Sequence, residues 1–213
     1  LKELPLKKLY LSKNMITDFS VLPNLIDLDI LCIMENPAED LSPVGECISI
    51  SRLNIQGMNL NDINFLKNLK LDYLDMSNAE IKNNIFEPLA EMEKLDTLCM
   101  CDINEAAAET LSKLSTLKAL FMWGDSTELE NLKPLKGMEE LDTLAFTTQI
   151  SSLEGIEQFP SLNFLSVSFS LVTDLSPITG AESLQTIDIS NAEIENYEPL
   201  LECTGLKEVR CSE

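Results

Sequence analysis

Cys99 and Cys101 flank Met100 as a Cys-x-Cys pair. On an extended strand, residues two apart lie on one side, so these thiols could hold part of a metal site or react together. Further ligands are needed for a four-coordinate metal, and none stands at suitable spacing. The chain has no His. That removes the commonest general base and the Ser-His and Cys-His nucleophile pairs. No G-x-x-x-x-G-K-[ST], G-x-G-x-x-G or G-x-S-x-G segment occurs, so neither a phosphate cradle nor a nucleophile elbow is indicated. Carboxylate pairs exist, such as Asp75 beside Asp29 in one strand row. They are ordinary in a chain with 36 acidic residues. The expectation is no enzyme, no metal and no cofactor. The other residues that stand out are aromatic: Tyr73, Phe121, Phe164 and Trp123, the only Trp of the chain. Their chemistry is recognition, because Trp and Tyr concentrate at interface centres.

The composition narrows the partner. Against 36 Asp and Glu stand 15 Lys and Arg, a formal charge of −21. Nucleic-acid binding needs basic residues to neutralise phosphates, and an anionic membrane surface repels such a chain. With 45% hydrophobic and 24% charged residues, the 213-residue chain reads as a packed domain needing no disulfide or metal staple. No apolar run approaches membrane-spanning length, so no membrane insertion is expected in this segment. The chain does not begin with Met and its first residues already follow the pattern found elsewhere, which suggests a trimmed or mature fragment.

That pattern is a repeat. L-x-x-L-x-L, with apolar substitutes, recurs ten times, starting at Leu6, Leu25, Ile50, Leu71, Leu95, Leu117, Leu141, Leu162, Leu184 and Leu206, at intervals from 19 to 25 residues. Alternation within the motif is that of a short strand. One such coil cannot bury its apolar side alone, but stacked coils share a core and pair their strands. An apolar residue recurs five positions after the motif (Ile16, Leu60, Ile81, Val172, Ile194). Asp-, Ser- and Pro-containing turns such as Val172–Ile178 follow, suited to short extended or 3₁₀ back segments. Asn104 to Leu114, with Glu105-Ala106-Ala107-Ala108-Glu109, predicts a turn or two of helix.

The segments Leu6–Asp18, Val172–Ile178 and Ser190–Ile194 resemble bacterial leucine-rich repeat proteins of the internalin-like, 22-residue class. The resemblance covers essentially the whole chain. It implies a single α/β domain over residues 1–213, a right-handed leucine-rich repeat solenoid (a horseshoe) with a parallel concave sheet of about ten strands. Such a family also implies a bacterial surface or secreted protein. The family places Asn three residues after the motif. Here only Asn14 is expected to occupy that column, the others being Met58, Ala79, Ile103, Asp125, Gln149, Ser170 and Ala192. The second repeat, Leu25 to Ser49, is the least regular. No polar cap is evident at either end, which predicts a fragment lacking one or both caps.

In this register Cys47 and Cys203 fall in an apolar column and Cys211 in the third core column, so all three read as core residues. Cys99 and Cys101 read as two surface thiols on the binding sheet. The outward strand positions form three rows. The first includes Lys8, Asp27, Arg52, Tyr73, Thr97, Ala119, Thr143 and Phe164. The second includes Tyr10, Asp29, Asn54, Asp75, Cys99, Phe121, Ala145 and Ser166. The third includes Ser12, Leu31, Gln56, Ser77, Cys101, Trp123 and Thr147. Tyr73, Asp75, Cys99, Cys101, Phe121, Trp123 and Phe164 are the expected partner-binding residues. The competing reading is that a loop, Asp125 to Asn131, covers Phe121 and Trp123. The function expected is non-enzymatic recognition of a protein partner. The alternative is an intracellular acidic inhibitor or immunity protein for a basic enzyme or toxin. A carbohydrate stacked on Tyr73, Trp123 and Phe164 is a third option.

Overall fold

The computed structural model describes residues 4–82, 85–101, 103–124, 128–147 and 149–212, and the chain divides into two compact units, Leu1–Met100 and Cys101–Glu213. In the first unit, strands β1 (Lys8–Tyr10), β2 (Ile30–Cys32), β3 (Arg52–Asn54), β5 (Tyr73–Asp75) and β7 (Thr97–Met100) pair in parallel in chain order. Their central residues, Leu9, Leu31, Leu53, Leu74 and Leu98, stand side by side. Two short strands on the opposite side, β4 (Asn59–Leu60) and β6 (Glu80–Ile81), also pair in parallel. In the second unit the parallel strands are β8 (Ala119–Trp123), β9 (Thr143–Thr147), β10 (Phe164–Ser166), β11 (Thr186–Asp188) and β12 (Glu208–Arg210). Leu120, Leu144, Leu165, Ile187 and Val209 form their central column. Most of these side chains are fully buried, each worth roughly 1.5–3 kcal/mol of hydrophobic stabilisation. Each unit is thus a stack of leucine-rich coils.

The second coil differs from its sequence expectation. The motif there begins at Leu28, three residues later than expected, because Leu31 pairs with Leu9 and Leu53. Leu25, Leu28, Ile30, Leu31 and Ile33 offer two overlapping L-x-x-L-x-I frames. The second frame sinks Leu28, Leu31 and Ile33 completely. Strand pairing then places Ile30 and Cys32 in the outward rows in place of Asp27 and Asp29. It also separates Asp29 from the row of Asp75. The frame brings Asn36 into the asparagine column beside Asn14, which the sequence reading had as its sole occupant. Asn36 is buried; its amide donates to the Leu11 and Ile33 carbonyls at 2.9 and 2.8 Å and its Oδ1 accepts from the Ile16 N–H at 3.1 Å.

Two residues after the motif, each described coil passes through a left-handed turn: Lys13, Glu35, Gly57, Asn78, Gly124, Phe169 and Asn191 have φ between 52° and 117°. The cause is a hydrogen bond to the next coil. The Lys13 N–H donates to Met34 O, Glu35 to Gln56 O, Gly57 to Ser77 O, Phe169 to Ser190 O and Asn191 to Ser212 O. The chain must turn sharply to aim those N–H groups along the stack.

On the far side of the coils, carboxylate and amide side chains close turns onto the N–H two residues on, as in Asp18–Ser20, Asp40–Ser42 and Asp62–Asn64 of the first unit and Asp174–Ser176 and Asn196–Glu198 of the second. These turns lead into 3₁₀ segments such as Leu22–Asn24 and Glu198–Glu202. The expected helix is present as α1 (Glu105–Leu111), its first turn capped by Asn104 Oδ1 accepting from the Ala107 N–H at 2.8 Å. Cys47 and Cys203 are buried as expected. Cys211 is not: it is exposed, and β12 pairs only with β11 among the described residues.

Candidate functional site

In the first unit the outward side chains of β3, β5 and β7 are tied together across the strands. The Arg52 guanidinium lies 4.7 Å from the centre of the Tyr73 ring, a cation–π stack. On the next row Asn54 donates to Asp75 at 3.0 Å, and Asp75 also accepts from the Ser77 N–H at 3.0 Å. The Cys99 thiol donates to the Tyr73 hydroxyl at 3.9 Å. Burial of the phenol, with the Cys99 and Asp75 charges beside it, pushes the Tyr73 pKa up, and Arg52 only partly opposes this. Desolvation disfavours the phenolate, so Tyr73 stays a neutral hydroxyl.

The strand alternation puts Cys99 outward, yet it is only 8% exposed, and Cys101, in the second unit, is likewise 8% exposed. Neither is a surface thiol, which corrects the sequence expectation. Outward direction along a strand does not mean exposure when a neighbour as large as Tyr73 lies across the position. Cys32 is half-buried and shares a 3.0 Å hydrogen bond with the Ser12 hydroxyl. No disulfide joins any of the six cysteines. Among the described residues no cluster of His, Cys, Asp or Glu is arranged to hold a metal.

In the second unit, Phe121 and Trp123 sit two apart on β8 and stack, with ring centres 5.7 Å apart and planes 23° from parallel. Both are half-buried. The neighbouring strand pairs small residues, Thr143, Ala145 and Thr147, with Ala119, Phe121 and Trp123, and Ala145 is buried. Phe164 lies on the strand beyond, beside Thr143, and its ring faces the Arg210 guanidinium at 5.5 Å. Arg210 is itself held by Glu208 at 2.9 Å. Residues 125–127 of the loop suspected of covering the aromatics lie outside the described residues.

The chain's only two arginines thus both stack on rings of an outward strand face, one in each unit. The sequence reading places Arg52 in the first outward row without singling it out. Tyr73, next to Arg52 in the same row on the neighbouring strand, is the available signal.

These coils define a leucine-rich repeat protein, internalin-like in fold. Solved structures that share it include an internalin (InlF) of Listeria monocytogenes, with a TM-score of 0.74 and 22% identity over 93% of this chain. Internalin C2 of the same organism follows at 0.70 and 20% identity, covering 91% of this chain and 83% of that one. The Arabidopsis receptor kinase HAESA, solved with the peptide hormone IDA and the co-receptor SERK1, gives 0.72 and 20% identity over 98% of this chain and 38% of that one. The chain spans 58% of the InlF structure. No family model and no curated protein sequence matches the chain. Stacked repeats of this kind form extended surfaces. Among the described residues no helix is long and apolar enough to cross a membrane.

Proposed function

We propose that this chain is a non-enzymatic recognition module that binds a protein partner on the outward strand face, and that it works at the surface or exterior of a bacterium. In this reading residues 1–213 form one leucine-rich repeat domain. The observation that carries it is the half-buried Phe121–Trp123 stack, with only the small residues Thr143, Ala145 and Thr147 paired beside it on the next strand. A ring pair held rigid on a strand loses little conformational freedom on binding. Phe164 supplies a second aromatic contact. In the first unit Tyr73 and Asp75 supply a hydroxyl and a carboxylate held in place by their neighbours. Cys99 and Cys101 act beneath this surface as packing.

A second reading, an intracellular acidic inhibitor of a basic enzyme or toxin, is favoured by the charge of −21 and by six cysteines that form no disulfide. Capture from host-cell and bacterial lysates by the parent and by Phe121→Ala/Trp123→Ala separates the readings. Surface recognition requires a partner from outside the bacterium whose affinity falls about 100-fold in the double variant. A basic intracellular partner, released steeply by salt, supports the inhibitor. Equal capture by parent and variant defeats the aromatic site.

A further inference from the structure

Phe169 occupies a turn position that an aromatic residue fits poorly. It has φ 58°, in the left-handed column held elsewhere by Gly57, Asn78, Gly124 and Asn191, and by Lys13 and Glu35. A bulky side chain there is an outlier. Burial does not offset the strain, since Phe169 is 66% exposed and Leu171, two residues on, is 52% exposed. The one backbone bond the position must make, from its N–H to Ser190 O at 3.2 Å, requires no particular side chain. Folding alone gives no reason for phenylalanine, and strain retained without a folding benefit points to function.

The surroundings state what would cover it. Residues 128–130, 149–152, 168–173 and 190–196 of the second unit contain no Lys or Arg. Backbone bonds set them side by side: Leu171 N–H to Ile150 O, Ser151 N–H to Glu130 O, and Glu195 N–H to Thr173 O. Glu128, Glu130, Glu193 and Glu195 are exposed. An apolar projection therefore stands between two acidic edges. A second copy of this chain, itself at −21, and an anionic membrane are both repelled by such a face.

We propose that Phe169 and Leu171 form the apolar centre of a docking edge for a partner polypeptide segment that carries Lys or Arg on both sides of an apolar anchor. The inference rests on the recognition reading above and deepens it by naming the partner's chemistry. It places the contact on the turn edge of the sheet, away from the Phe121–Trp123 stack.

The test is selection of random twelve-residue peptides displayed on phage against the parent protein at low salt. Recovered peptides are then made synthetically and titrated into the parent, Phe169→Asn and Phe121→Ala/Trp123→Ala. Asparagine suits the left-handed turn, as at Asn78 and Asn191, so Phe169→Asn should unfold at the same temperature or roughly 2–4 °C higher. Peptides rich in Lys and Arg around an apolar residue should be enriched, and should bind Phe169→Asn at least about 10-fold more weakly. Failure to recover any Phe169-dependent peptide overturns the proposal. So does an unfolding temperature lowered by several degrees in Phe169→Asn, which would make the ring structural. Loss of binding only in the Phe121→Ala/Trp123→Ala variant overturns it while leaving the recognition reading intact. Loss only in Phe169→Asn supports it and removes the aromatic stack from the reading.

Discussion

In the first two coils of the first unit, the turn after the strand is closed by Asn14 and Asn36, whose amides reach the Leu11 and Ile33 carbonyls. In the second unit the same column holds Ile103, Gln149, Ser170 and Ala192 among the described residues. Of these, Ser170 keeps part of the job: its hydroxyl donates to Val167 O at 2.6 Å and accepts from the Val172 N–H at 3.3 Å. Both units nevertheless make the same left-handed turn. The turn is therefore set by backbone bonding along the stack, and the asparagine adds stability without choosing the conformation. The outward faces differ in a parallel way. The first unit has a polar network of Arg52, Tyr73, Asn54 and Asp75. The second has a stacked aromatic pair, small residues, and an arginine already held by Glu208. A repeat that fixes the backbone leaves its outward rows available for separate chemistries.

The largest effect expected concerns the turn column. Asn36→Ala removes three hydrogen bonds from a buried site and leaves backbone groups without partners. It should cost about 3 kcal/mol, against about 1–2 kcal/mol for Ser170→Ala. Equilibrium urea unfolding of the two variants measures the contrast. Equal losses would break the comparison and show the asparagine to be no stronger a tie than serine.

Thiol chemistry should sharpen the contrast between outward and exposed. With a disulfide reagent such as DTNB at neutral pH, Cys211 should react first and the half-buried Cys32 next. Cys47, its pKa pushed up to about 11 by burial and then by the Glu46 charge, should lag Cys211 by about 100-fold or more. Cys99 and Cys101 should wait for denaturant. Rapid modification of either, read by peptide mass mapping, would restore the surface-thiol reading.

The smallest effect lies at alkaline pH. Burial raises the Tyr73 pKa, so the folded chain holds that proton more tightly than the unfolded chain. The resulting stability is complete below pH 10.0, the ordinary tyrosine value, and is lost as pH rises through the higher folded value. Tyr73→Phe cannot titrate. Its urea midpoint should fall less than the parent's as pH is raised above 10.0, the cysteines being common to both. Parallel curves would show that Tyr73 is solvated in the folded protein.

Much of this molecule was legible in the sequence. The leucine columns, the helix at Glu105–Leu111, the buried Cys47 and Cys203, and the outward placement of Phe121 and Trp123 all follow from period and spacing. These features are local: side-chain alternation along a strand and a closely spaced apolar motif are properties of a few consecutive residues. Other features were decided by neighbouring coils. Residues 25–33 satisfy two apolar frames equally well, and pairing with Leu9 and Leu53 selects the one that brings Asn36 inward. The burial of Cys99 depends on Tyr73 one strand away in the sheet. The left-handed backbone of Phe169 is imposed by a carbonyl at Ser190, 21 residues further along the chain. Outside the second coil and the last strand, sequence period determined which residues face the core. Strand register, cover and strain arise between coils, and only the stacked structure could decide them.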